Sequence, residues 1–218
     1  MDKALADLIT LVGGELKDTG EVSWTDEEIT EFIRAALNAF SEVAPRKVAV
    51  DLDTVANQRE YDLSDEAEYP GLLEVIDVWY PYDPLDPVYP PNRPPWSVPQ
   101  SLTLSLDVSD DPTAATDEQI RLFYTALHTI EDLDSADATT LSDRAALLVV
   151  TGAAAKAAMQ LAQSVIGTVT VSSWTPRHFR EWADNRWAEF KAGLELERQH
   201  ACLAQDGRSA PYPPWGRK

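Results

Sequence analysis

Between Ala145 and Ile166 the chain carries a single charge, Lys156, in a run that begins A-A-L-L-V-V-T-G-A-A-A-K-A-A. A helix that is apolar on every side has to be enclosed, either by neighbouring helices or by lipid. Lipid is excluded by length: Ala145–Ala155 is too short to cross a bilayer, and Lys156, Gln160 and Gln163 interrupt the remainder of the run. The segment is therefore expected to be the central helix of a bundle, with Gly152 to Ala155 letting adjacent helices approach closely.

Three other segments supply the covering helices. Leu5, Leu8, Ile9 and Val12 share one face of a short helix expected to stop at Gly13-Gly14. Thr25 and Glu28 form a capping box, with Asp26, Glu27 and Glu28 at the positive end of the helix dipole. Ile29, Phe32, Ile33, Leu37 and Phe40 then recur at helical spacing until Pro45. After a polar link, GTVTVSS, Thr175 and Pro176 read as an N-cap and first helical position. Phe179, Trp182, Phe190 and Leu194 mark the buried face of this last helix, which is expected to run to about Leu203 before an extended tail.

From Lys47 the period changes to two. Val48, Val50 and Leu52 predict a strand, and Tyr61-Asp62-Leu63 reads as the close of its partner. Leu72–Tyr80, Leu102–Val108 and Ile120–Thr129 predict three more. Between two of them, residues 79–99 (WYPYDPLDPVYPPNRPPWSVP) hold eight prolines and five aromatics. Proline cannot donate to a ladder, so this insertion is expected to be an extended, semi-rigid loop. Trp79, Tyr82, Tyr89 and Trp96 on it suit either the covering of an apolar face or a protein interface, because a stiff aromatic loop loses little entropy on docking. The fold class is α+β: a bundle of about four helices, residues 1–46 and 131–203, interrupted by an antiparallel β-subdomain, residues 47–130, and followed by an extended tail, residues 204–218.

Composition narrows the chemistry. Thirty-seven acids against 18 bases give a net charge of −19; residues 1–150 sum to −22 and the last 68 residues to +3. Phosphate binding needs clustered Lys and Arg, so sequence-specific DNA recognition is excluded. One cysteine, Cys202, rules out an internal disulfide framework and multi-thiolate zinc sites. The opening MDKALADLIT is charged at its second, third and seventh positions, unlike a secretory segment, which makes a soluble intracellular chain the expectation. No G-x-G-x-x-G, P-loop or G-x-S-x-G is present. His128 reads as a half-buried structural histidine on a strand, and His178 and His200 as surface or packing residues. Asp51 with Asp53, the group Asp107, Asp110 and Asp111, and the group Asp132, Asp134 and Asp137 lack the glycine and terminal glutamate of an EF-hand loop; they read as solvated acids. No catalytic residue, metal or cofactor is expected.

Taken together, W-T-D-E-E-I-x-x-F-I-R-A-A-L-N-A-F (Trp24–Phe40), Tyr61-Asp62-Leu63, L-L-E-V-I-D-V-W-Y-P (Leu72–Pro81), L-F-Y-T-A-L-H-T (Leu122–Thr129), the alanine-rich helix, and a last helix with F-R-E-W and W-A-E-F resemble the head-to-tail adaptor, or connector, proteins of tailed bacteriophages. The resemblance runs from Trp24 to about Leu203; the proline-rich insertion and residues 1–20 depart from it. It implies a non-enzymatic virion protein of the neck, made in the host cytoplasm. It further implies a ring, commonly of twelve copies, docked beneath the portal, passing double-stranded DNA to a tail or stopper protein without binding it specifically and without contact with a membrane. In that family a C-terminal arm grips the portal, which nominates Tyr212, Pro214, Trp215 and Arg217 as the anchor. Another neck or tail-completion protein is the neighbouring alternative. A ligand- or carbohydrate-binding module, with Trp79, Tyr82 and Trp96 in a groove, is the alternative of a different class.

Overall fold

The computed structural model describes residues 3–17, 23–99, 102–115, 117–166 and 174–209. The chain divides into two compact units, one made of Met1–Ala44 with His128–Lys218 and the other of Pro45–Leu127.

The first unit is helical: α1 (Leu5–Leu16), α2 (Asp26–Val43), α3 (Asp143–Ile166) and α4 (Trp174–Ser209). Its core joins Leu8 and Val12 of α1, Ile29, Ile33, Leu37 and Phe40 of α2, Val149 and Val150 of α3, and Phe190 of α4. The Thr25–Glu28 capping box forms: the Glu28 N–H donates to Thr25 Oγ1 at 3.3 Å, and the Thr25 N–H to Glu28 Oε2 at 3.0 Å. Two expectations at helix ends are corrected. α1 does not stop at Gly13-Gly14 but runs through them, because Gly13 is buried and Lys17 supplies the left-handed cap (φ 57°), its N–H reaching the carbonyls of both glycines. α4 begins at Trp174 and continues to Ser209, so residues 204–209 are helical rather than extended. Residues 167–173 and 210–218, which hold the polar link and the nominated portal anchor, lie outside the described residues.

α3 is the buried helix of this unit, although Asp143–Gln163 is long and apolar enough by composition to cross a membrane. It is not enclosed on all sides, since Leu147 is 49% exposed. Two glycines set its approach to α4. A Cβ on Gly152 would stand 2.9 Å from the Phe190 ring, and one on Gly193 would meet Leu148 Cδ1 at 2.4 Å. Lys156 keeps its ammonium 5.6 Å from the Trp187 ring, so the one charge within Ala145–Ile166 rests on an aromatic face.

The second unit holds two three-stranded antiparallel sheets, β1-β6-β3 and β2-β5-β4 in spatial order. The strands are β1 (Arg46–Asp53), β2 (Glu60–Asp62), β3 (Leu72–Tyr82), β4 (Trp96–Ser97), β5 (Thr103–Leu106) and β6 (Gln119–Ala126). One core lies between them: Ile120, Leu122, Tyr124, Val75 and Val78 from the first sheet pack with Tyr61, Leu104 and Leu106 from the second. Tyr61 lies opposite Leu104 on β5, so β2 is not the partner of β1 that the sequence suggested. After β1 the backbone is diverted, with Thr54 Oγ1 donating to the Glu118 carbonyl at 2.6 Å and the Asn57 N–H to the Pro112 carbonyl at 2.9 Å. β1 pairs instead with β6, which ends at Ala126 rather than Thr129.

Candidate interface loop

β3 is eleven residues long and slips register against β6 three times, between Leu72 and Glu74, Val75 and Asp77, and Trp79 and Tyr82. The last slip matters most. Trp79 and Tyr82 are three residues apart, which in a regular strand would put them on opposite faces. Their partners, Arg121 and Gln119, are two apart, so both aromatics stand on the outer face of the sheet. There the Trp79 ring lies 4.7 Å from Phe123, 6.2 Å from Tyr82 and 6.1 Å from Tyr89.

Polar contacts fix this cluster. The Arg121 guanidinium sits 4.7 Å over the Tyr82 ring, donates to the Tyr82 hydroxyl, and pairs with Asp51 at 3.6 Å. Trp79 Nε1 donates to Asp77 Oδ2 at 2.8 Å, and the same oxygen pairs with Arg93 Nε at 3.2 Å. The insertion between Tyr82 and Trp96 is thus tied down at its root. Its returning limb is held to β3 by the Tyr80 N–H donating to the Asn92 carbonyl at 3.1 Å and Asn92 Nδ2 to the Tyr80 carbonyl at 2.8 Å. On the inner face the Tyr80 hydroxyl donates to Glu118. Burial first, then that carboxylate, push the phenol well above its ordinary value.

The tip faces outward. Leu85 is 94%, Val88 76% and Tyr89 66% exposed, the three most exposed large apolar side chains among the described residues. Solitary exposed apolar residues need no explanation, but three within five positions of a braced loop make a candidate contact surface. Sequence reasoning named Trp79, Tyr82 and Tyr89, which the fold brings together. Trp96 stands apart: it sits on β4 opposite Leu106 and packs on the inner core. The aromatics therefore do not line one groove. Missed altogether were Leu85 and Val88 at the tip, and Arg121, Phe123, Asp77 and Arg93 at the root. Alternation along β6 would have put Arg121 and Phe123 on one face; only the bulges of β3 bring Trp79 and Tyr82 to them.

Of the aspartates singled out in the sequence, Asp51, Asp53, Asp111 and Asp134 have basic or amide side-chain partners. Asp53 accepts from Gln119 Nε2 at 2.6 Å, Asp111 pairs with Arg59 at 2.7 Å, and Asp134 with Arg34 at 2.7 Å. Among the described residues no three His, Cys, Asp or Glu side chains gather as a metal set. His128 lies just beyond the end of β6 rather than on it. Its Nε2 donates to the Ala44 carbonyl at 3.0 Å, its Nδ1 is 3.1 Å from Thr140 Oγ1, and its ring meets Phe40 edge-on at 5.3 Å. It joins the two ends of the helical unit's interruption.

These features define a protein of class α+β, with a helical unit and a β-unit that presents a braced apolar loop. The sequence profile of the SU10 adaptor protein family matches residues 3–200, and the chain belongs to that family. Its role is that of a structural adaptor, as the resemblance to head-to-tail adaptors implied. Among solved structures, the chain is similar to a protein in the neck of a native GTA particle computed with C12 symmetry, at 13% identity over 85% of this chain and 93% of that one (TM-score 0.30). A second is from the neck of an empty GTA particle computed with C6 symmetry, at 14% identity over 80% and 87% (TM-score 0.31). No curated protein matches the chain.

Proposed function

We propose that the protein is a neck subunit of a tailed-phage-like virion, assembling as a ring beneath the portal and extending the channel through which DNA leaves. Membership of the adaptor family supports the assembly role, and the observation that carries the interface is the exposed Leu85–Val88–Tyr89 tip on its braced root. Charge supports the channel: residues 45–127 hold 16 acids and 5 bases, a net −11. Carboxylates release no counterions from DNA, so duplex passes such a surface without adhering. The portal anchor in this reading is Tyr212, Pro214, Trp215 and Arg217, whose prolines favour an extended, low-entropy segment for docking. Downstream, the ring hands DNA to a tail or stopper protein.

The test is reconstitution with the cognate portal, imaged by electron microscopy. The full chain should decorate portals as a ring. Deleting residues 210–218 should leave the melting temperature unchanged and abolish decoration, and Trp215→Ala alone should weaken it by about 2 kcal/mol. Decoration by the truncated chain at full strength would place the anchor elsewhere.

A further inference from the structure

The helical unit carries an apolar cavity of about 400 Å³ whose walls include Leu16, Trp24, Phe179 and Trp182, with Glu15 and Lys17 beside them. Its size is that of pockets that enclose most of a small ligand's surface. Phe179, expected from sequence to be buried, is 36% exposed here. Glu15 Oε2 is buried yet accepts no hydrogen bond, and stands 4.0 Å from Arg186 Nε. The cavity therefore offers an apolar floor and one cation, Lys17, while the Glu15 carboxylate stays beside Arg186.

The loop tip of the β-unit has the opposite form. Leu85 and Val88 project as apolar knobs, Asp83 and Asp86 flank Leu85, and Tyr89 brings a hydroxyl. We propose that the Leu85–Tyr89 tip of one copy seats in this cavity of the next copy in the ring. The apolar pair meets Trp24, Phe179 and Trp182, and the aspartates face Lys17. A knob on one unit and a socket on the other make a heterologous contact, which repeats head to tail and builds a ring where its rotation closes. The inference rests on the ring reading and names its interface.

The test uses full-length chains in which the single native cysteine is removed by Cys202→Ser. One chain carries Val88→Cys, the other Phe179→Cys; they are mixed at high concentration and treated with a short bismaleimide, with light scattering in parallel. The expected result is a crosslinked heterodimer. Its yield should fall at least about tenfold when Leu147→Cys, an exposed position elsewhere on α3, replaces Phe179→Cys, and fall similarly when Leu85→Asp is added to the loop chain. Oligomers without that heterodimer overturn the inference and leave the ring reading standing. Absence of both oligomer and heterodimer overturns both. A crosslink that forms only within a chain carrying both cysteines overturns the inference by making the loop a cover for its own cavity.

Discussion

Arg34 holds Asp134 by two hydrogen bonds, Nε to Oδ2 at 3.1 Å and Nη2 to Oδ1 at 2.7 Å, at a turn where Asp132, Asp134 and Ser135 all have positive φ. Aspartate tolerates that backbone better than most residues, which gives Asp132 and Asp134 a conformational reason for their place in this loop. The hydrogen bonds from Arg34 hold the Asp134 carboxyl below its ordinary value, against a smaller opposing effect of burial. Because the folded value is depressed, the pair stabilises the fold above the unfolded carboxylate range, and that stability is lost as pH falls through the folded value. Both side chains are substantially exposed, so the contribution is screened to about 0.5–1 kcal/mol. Arg34→Gln should cost that much in urea unfolding at neutral pH and nothing at a pH where Asp134 is protonated. A cost equal at both pH values would remove the ion pair as its source.

At the scale of elements, the root of the proline-rich loop explains why an apolar tip can stand in water without collapsing onto the sheet. Trp79 contacts Tyr82, Tyr89 and Phe123 at once, and aromatic pairs contribute about 0.5–1.5 kcal/mol each. Trp79→Ala should release the loop, so that chymotrypsin cuts after Leu85 at least about tenfold faster while the helical unit stays resistant. Unchanged cleavage would mean the loop is held by Asn92 and Arg93 alone. Elements were legible where one local rule governed them: α2 from its capping box and apolar stripe, β1 from strict alternation. They were not legible where a distant partner decided. The termination of α1 depended on Lys17 taking a left-handed cap, the pairing of β2 on a strand, β5, far along the chain, and the facing of Trp79 and Tyr82 on bulges that periodicity does not reveal. The loop site was accordingly half legible, its aromatics visible and its arginine braces hidden.

For the molecule as a whole, charge rather than shape makes the sharpest statement. A chain of net −19 with −11 on residues 45–127 offers duplex DNA few cationic footholds. The purified protein should leave duplex DNA unretarded in a gel shift at physiological salt and micromolar concentration. Retardation that weakens steeply with added salt would contradict the acidic channel surface.

The interruption of the helical unit by residues 45–127 also sets an order on the chain during synthesis. All strands of the β-unit lie in one unbroken stretch, so its core is complete once Ala126 has been made. The helical core has no such economy of sequence. Leu8, Ile33 and Phe40 are synthesised early, yet the side chains that cover them, Ile130, Leu141, Val149 and Phe190, arrive only after the whole β-unit has emerged. The first two helices are thus synthesised before most of the side chains that complete their core, and in the folded chain His128, the first residue of the returning segment, bonds back to Ala44 and Ser41.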